Sequence, residues 1–473
     1  MNSKPGTMNR RTCLQKIAAG AALAAAGCAR AEEVEPAPSK LNFVYILADD
    51  LGYGDLGCYG QQTIKTPNID RMASEGMRFT DHYAGSTVCA PSRCCLMTGY
   101  HTGHAYIRGN SEVKPMGQQP LPTDTVTIPE LLKDQGYTTG LVGKWGLGGP
   151  GSEGHPNSQG FDHFFGYLCQ RHAHNYFPEF LFRNHERVDL EGNEVAGDRE
   201  DGAGVATEKV TYSPDLMIEE AVGFIRENRE RPFSLFFTAT LPHANNEARD
   251  EGMEIPDFGE YAAKDWPDAQ KGHAAMISRL DRDVGRILNE LKEFGLDQNT
   301  MVLFTSDNGP HREGGADPDF FNSSGPLRGI KRDLYEGGIR VPLIARLPGR
   351  IPEGVVSGHV GAFWDMLPTL VELAGGTVPS GVDGVSMVPA LKGSGKQAEH
   401  EYLYWEFRGK QAIRQEAWKA VRTGPGEEVE LYNLVEDLSE STNLAAKNPD
   451  KVVELSSLFD SARVESELFP LES

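Results

Sequence analysis

Residues 41–50 read Leu-Asn-Phe-Val-Tyr-Ile-Leu-Ala-Asp-Asp. A nearly continuous apolar run over 41–47 is what a strand buried on both faces requires, and this one stops at a pair of carboxylates. The same plan recurs along the chain. Apolar runs at 138–142, 233–239, 300–305 and 341–345 read as further strands. Between them lie helices. Residues 67–76 and 129–136 each open on proline and close on glycine, and Leu280, Val284, Ile287, Leu288 and Leu291 form one stripe at helical spacing. Strands separated by helices predict an α/β fold, a large mostly parallel sheet flanked by helices. After about Gly384 the pattern changes to short runs at 402–407, 411–414, 418–422 and 429–433, followed by a helix from about Pro449 to Arg463. That predicts a smaller C-terminal α+β domain built on an antiparallel sheet. The expected organisation is a leader at 1–31, a linker at 32–40, a catalytic domain at 41–384 and a C-terminal subdomain at 385–473.

The chain has 473 residues, of which 24% are charged and 39% hydrophobic, with a formal net charge of −22. Such a balance argues against a nucleic-acid surface and for a self-repelling exterior. It does not exclude an anionic substrate, because a few cations can dominate a pocket. Arg10 and Arg11 precede a short apolar run at 17–27 that resembles a twin-arginine export signal. Ala29-Arg30-Ala31 fits a cleavage site, while Ala25-Ala26-Gly27-Cys28 is a weak lipobox, so membrane attachment is expected only if Cys28 carries lipid. The expected location is therefore periplasmic or extracellular. Beyond the leader five cysteines remain (Cys58, Cys89, Cys94, Cys95 and Cys169), an odd number in an exported chain.

Open α/β sheets bind ligands beyond the carboxyl ends of their strands. Here those ends carry Asp49-Asp50, Asp307-Asn308, Lys144 and, after a proline, His243. Each taken alone is most simply a turn, a cap or a solvated charge. If the strands at 41–47 and 300–305 are neighbours, however, Asp49, Asp50, Asp307 and Asn308 bring hard oxygens together. An all-oxygen set suits Ca²⁺ or Mg²⁺ better than zinc or copper.

Cys89-Ala-Pro-Ser-Arg-Cys-Cys-Leu-Met-Thr-Gly99 then resembles the signature of the type I, formylglycine-dependent sulfatases. Leu47-Ala-Asp-Asp-Leu-Gly52, Gly136 to Trp145, Thr305-Ser-Asp-Asn-Gly309 and the segment Arg328 to Pro342 are similar to that family's other motifs, in the same order. The resemblance runs from about Leu41 to the C-terminus. It implies that Cys89 is oxidised to formylglycine by a dedicated maturase. It also implies that one Ca²⁺ is held by Asp49, Asp50, Asp307, Asn308 and the modified Cys89. In that family the aldehyde hydrates, one hydroxyl attacks sulfur and expels the alcohol, and the other later ejects sulfate, which splits one hard step into two. Arg93 would stabilise the modified side chain or the metal-bound anion. Lys144 and Lys331 would hold sulfate oxygens, and His243 would protonate the leaving alkoxide. Pro91 is expected to open a helix whose N-terminus faces residue 89. His172, His174, His311 and Arg312 are the residues expected to meet the substrate, a sulfated carbohydrate or other sulfate ester.

The pattern breaks at two places, one of them Phe165-Gly-Tyr-Leu-Cys-Gln170, where the family's serine contact after the F-x-G segment has no obvious counterpart. At the other the family motif reads Gly-Lys-Trp-His, whereas position 146 here is Gly. The resemblance gives that histidine the diol as its partner, and His101, His104, His172 and His174 are the available substitutes. Two alternatives remain open at this level. One is a phosphate or phosphonate ester hydrolase of the wider alkaline-phosphatase-like superfamily; the other is a sulfated-glycan binder that has lost catalysis with the histidine. Cys94 and Cys95 read as small buried residues of the helix that follows Cys89.

Overall fold

A computed structural model describes residues 40–197 and 200–471. The predicted leader and most of the predicted linker lie outside the described residues. Lys40 onwards forms one compact unit.

Its centre is a ten-stranded sheet. In chain order the strands are β1 (Asn42–Ala48), β2 (Met77–Tyr83), β3 (Thr138–Lys144), β4 (His163–Tyr167), β5 (Phe180–Arg183) and β6 (Glu186–Asp189). A short ribbon, β7 (Glu194–Val195) with β8 (Ala206–Glu208), stands apart, and β9 (Phe233–Thr238), β10 (Thr300–Ser306), β11 (Arg340–Arg346) and β12 (Val355–Ala362) complete the large sheet. The spatial order is β12-β2-β11-β10-β1-β9-β3-β4-β5-β6. β1 lies between β10 and β9 and is parallel to both. The sheet turns antiparallel outside this centre, at β10–β11 and β4–β5.

The reason β1 reads as unbroken apolar sequence is visible in its two faces. Phe43, Tyr45 and Leu47 enter one hydrophobic cluster, and Val44, Ile46 and Ala48 enter the other. Alternation along a strand sends successive side chains to opposite faces, so a strand covered on both sides must be apolar throughout. Helices supply the cover: α1 (Pro67–Ser74), α2 (Cys89–Thr98), α3 (Ile128–Asp134), α4 (Ser213–Asn228) and α5 (Asp268–Glu293). The predicted stripe on α5 is buried at Leu280, Val284, Ile287, Leu288 and Leu291. One boundary differs from expectation. α2 begins at Cys89 itself, with Val88 as its cap, so Pro91 is the third residue of the helix and not the first. Proline is tolerated there because the first-turn amides have no intrahelical acceptor.

The second sheet has four antiparallel strands, β13 (Leu403–Phe407), β14 (Lys410–Gln415), β15 (Trp418–Arg422) and β16 (Glu430–Asn433). It is bound to the rest by buried charge. Lys419 on β15 is fully buried, 2.8 Å from Glu336 and 2.9 Å from Glu440. Glu336 opens a short helix, α6 (Glu336–Ile339), and its amide donates to Glu440 at 2.7 Å. The segment 328–337, which carries Lys331, is thereby clamped against the C-terminal sheet. Arg328 reinforces the clamp by donating to the Glu440 carbonyl at 2.8 Å. Replacing Lys419 with methionine leaves Glu440 buried without its cation and Glu336 with Arg340 alone, at 3.0 Å, and should destabilise the protein by about 3–5 kcal/mol, read from urea unfolding.

Among the described residues Cys58, Cys89, Cys94, Cys95 and Cys169 are all free thiols. No helix among them is long and apolar enough to cross a membrane.

Candidate active site

The parallel register pairs Ala48 with Ser306, which brings the next residues of β1 and β10 to one level at the carboxyl rim. The Asp49 amide is held by Leu241 O at 3.0 Å and that of Asp307 by Ala48 O at 3.1 Å. Asp50 takes a left-handed backbone, φ 63°, a conformation Asp tolerates better than most residues. That turn lets the Asp50 amide donate to Asp307 Oδ1 at 3.1 Å, while Asn308 Nδ2 donates to Asp50 Oδ1 at 2.7 Å. All four side chains are fully buried.

Cations and a thiol close in from the neighbouring elements. Cys89, at the start of α2, places Sγ 3.6 Å from Asp49 Oδ1. Arg93 lies one turn further on the same helix face. Its Nε and one terminal nitrogen donate to Asp307 Oδ2 at 3.1 and 2.9 Å. Lys144 ends β3 and puts Nζ 2.6 Å from Asp49 Oδ2. Lys331 puts Nζ 2.7 Å from Asp50 Oδ2 and 3.1 Å from His243 Nε2. His243 itself lies 3.4 Å from Asp50 and engages the Ala244 carbonyl through Nδ1 at 2.6 Å.

Burial dominates the electrostatics, and local charge decides the outcome at each group. For Asp49, burial is outweighed by Lys144, His243 and Arg93, which hold the carboxyl below its ordinary range. For Asp307 burial wins with help from the charge on Asp49, against Arg93, and its pKa is pushed up to about 7. Two carboxylates sharing one guanidinium therefore do not both ionise freely. Burial and then Lys331 press the His243 pKa down to about 3. Burial pushes the Cys89 thiol well above its usual value, so it is no ready thiolate nucleophile.

The Sulfatase family model matches residues 41–376, and a model for the N-sulphoglucosamine sulphohydrolase C-terminal region matches residues 330–460. The chain belongs to the sulfatase family. It is similar to mouse (Mus musculus) steryl-sulfatase, 33% identical over 78% of this chain and 68% of that protein. Dog (Canis lupus familiaris) N-acetylgalactosamine-6-sulfatase is 33% identical over 81% of this chain and 72% of its own length. Among solved structures, Ps i-CgsB in complex with k-i-k-neocarrahexaose superposes with a TM-score of 0.73 at 29% identity. That match covers 89% of this chain and 92% of the other. This sulfatase is accordingly a sulfuric ester hydrolase.

The sulfatase brings some of the expected substrate residues to the site and not others. His174 stacks on His243 with ring centres 4.8 Å apart and is oriented by Glu247 at 3.0 Å. His311 also lies against His243, at 5.9 Å, with both ring nitrogens engaged, one with Pro242 O and one with the Glu313 amide. His172 does not reach the site. It is buried against Tyr167 and Phe180, at 4.8 and 4.6 Å, because a short 3₁₀ turn over His172–His174 points residues two apart in different directions. Arg312 is exposed and pairs outward with Asp317 and Asp319. His101 and His104 stack on each other beside Asp383, beyond the opposite end of α2 from Cys89. A ten-residue helix spans about 15 Å, so neither substitutes for a side chain at position 146. Cys94 and Cys95 pack in the hydrophobic cluster as read.

Three residues of the site escaped sequence reading. Glu313 places its carboxylate 3.1 Å from Lys331 Nζ and a further oxygen on Arg332. Asn110 accepts from the Ala90 amide at 3.0 Å, next to Cys89. Gln170 occupies the space in front of Gly146. A Cβ added at residue 146, where φ is 87°, would come within 1.9 Å of Gln170 Nε2. Recognising residues 163–167 as a strand parallel to β3 would have put Gln170 on the same rim.

Proposed function

We propose that this enzyme hydrolyses the sulfate ester of a carbohydrate, using a formylglycine derived from Cys89 and one bound Ca²⁺. The observation that carries the reading is the convergence of Cys89, Lys144 and Lys331 on the Asp49–Asp50 pair, at 3.6, 2.6 and 2.7 Å. The residues fit a hard cation. Asp49, Asp50 and Asp307 are fully buried, and Asn308 Oδ1 is a buried oxygen without a hydrogen-bond partner. Asp49, Asp50, Asp307 and Asn308 would hold the ion beside the modified Cys89. The ion supplies Lewis acidity and the formylglycine an oxygen nucleophile.

The chain's own residues do the rest. Lys144 and Lys331 neutralise the sulfate oxygens, and Arg93 fixes the Asp307 carboxylate that faces the same space. His243 has Nδ1 tied to Ala244 O, so the proton handed to the leaving oxygen sits on Nε2. An arriving anion favours that charged form, against the burial and the lysine that depress it. Carbohydrate substrates are supported by the similarity to N-acetylgalactosamine-6-sulfatase and to the neocarrahexaose-bound structure. Arg10-Arg11 and the apolar run after them support export to the periplasm or beyond, with Cys28 as the residue that would take a lipid. Conversion of Cys89 requires a formylglycine-generating maturase as partner.

The test is release of inorganic anion from matched esters, measured by ion chromatography. Sulfate release from N-acetylgalactosamine 6-sulfate or a carrageenan oligosaccharide, with no phosphate release from the matching phosphates, is expected. Loss of that activity on chelation and its return with Ca²⁺ is expected as well. Phosphate release that outpaces sulfate release overturns the reading in favour of a phosphoester hydrolase.

A further inference from the structure

The Gln170 side chain is only 4% exposed, and neither its amide oxygen nor its amide nitrogen has a hydrogen-bond partner among the described residues. A buried amide left unpaired is costly, and such groups in folded proteins mark bound water, ligand or function. Its position argues for ligand. Gln170 follows β4, which runs parallel to β3 with Lys144 level with Tyr167. It therefore stands on the carboxyl rim that carries the catalytic lysine. Trp145 turns its ring into the core against Phe161, while Lys144 on one side of it reaches Asp49. Gly146 on the other side leaves its space to the Gln170 amide. The amide is as deep as the residues already placed at the site: Lys144 is 1% exposed, His243 2% and Lys331 5%.

We propose that Gln170 is a substrate-binding residue, whose unpaired amide takes a sugar hydroxyl next to the sulfate ester. This rests on the carbohydrate sulfatase reading above and adds the residue that selects a sugar over a plain sulfate ester. The chemistry matches because a hydroxyl both donates and accepts, and a carboxamide offers one donor face and one acceptor face together. A site with such a pair discriminates against substrates that lack the hydroxyl, since the amide then stays buried and unpaired. An amide holds no transferable proton at working pH, so its contribution falls on binding and not on the proton steps.

Gln170→Met keeps the length and removes both polar atoms. For N-acetylgalactosamine 6-sulfate, or whichever sulfated sugar the wild type cleaves best, KM should rise about tenfold or more with kcat changed less than about threefold. KM for 4-nitrophenyl sulfate, which has no hydroxyl beside the ester, should not change. Calorimetry on Cys89→Ala protein gives a readout independent of turnover. There Gln170→Met should weaken the sulfated sugar by a similar factor and leave inorganic sulfate unaffected. Equal loss on sugar and aryl sulfate, or loss of inorganic sulfate binding, overturns the proposal and assigns the amide to the sulfur centre. No change on any ligand also overturns it, leaving Gln170 as packing. Gln170→Asn, which keeps the amide on a shorter stem, provides the same comparison if the methionine variant does not fold. A wild type that cleaves no sulfate ester refutes the parent reading, whereas one that cleaves sugar sulfates and is indifferent to Gln170 refutes only this inference.

Discussion

Cys89→Ala is expected to reduce turnover of every sulfate ester by a factor of about 10⁴ or more, with the fold intact. Cys89 is the first residue of α2, 3.6 Å from Asp49, and on the proposed mechanism its oxidised form is the group that attacks sulfur. Without it, the lysines, Arg93 and the carboxylates still bind the anion but no group of the chain forms the covalent bond. Removing one buried sulfur atom should cost little stability, on the order of 1 kcal/mol. Cys94→Ala and Cys95→Ala are the controls. Their sulfurs pack in the hydrophobic cluster, and burial holds both thiols above their usual range, so activity should survive either change. Steady-state kinetics on protein matched for thermal unfolding separates the cases.

The second large effect is expected at His243, and it should depend on the leaving group. A carbohydrate alkoxide is a poor leaving group that needs a proton as the ester bond breaks, whereas a nitrophenolate leaves without one. His243→Ala should therefore lower kcat on a sugar sulfate by about 10²–10⁴ and on 4-nitrophenyl sulfate by no more than about tenfold. The rest of the site should stay in place, because Lys331 keeps Asp50 at 2.7 Å and Glu313 at 3.1 Å when the imidazole is gone. Equal losses on both substrates would move His243 from proton donor to anion binder.

What sequence disclosed here, and what it did not, follows from how each feature is encoded. β1 and β10 were legible because a strand covered on both faces must be apolar throughout, and each run ends abruptly in acids. Their adjacency was an assumption that the parallel register supplies. Residues 163–167 were not read as a strand, being short and containing glycine, and Gln170 was missed with them. Pro91 misplaced the start of α2 by two residues, because proline suits any position of a first turn. His172 and His174 look equivalent as letters, yet one faces Phe180 and the other His243. Glu313 and Asn110 enter the site from loops, where no periodicity announces a side chain's direction. The buried clamp of Lys419, Glu336 and Glu440 joins residues far apart in the chain, and nothing local in the sequence signals it.

The central claim is that Cys89 is the precursor of the nucleophile, and mass spectrometry of the tryptic peptide Phe79–Arg93 tests it most directly. Protein produced with a competent maturase should yield this peptide about 18 Da lighter than its sequence mass, the change from thiol to aldehyde at the activated residue. The light fraction should rise in step with sulfate ester turnover across preparations. A peptide at full thiol mass in protein that turns over sulfate esters at full rate would contradict the claim and require another nucleophile.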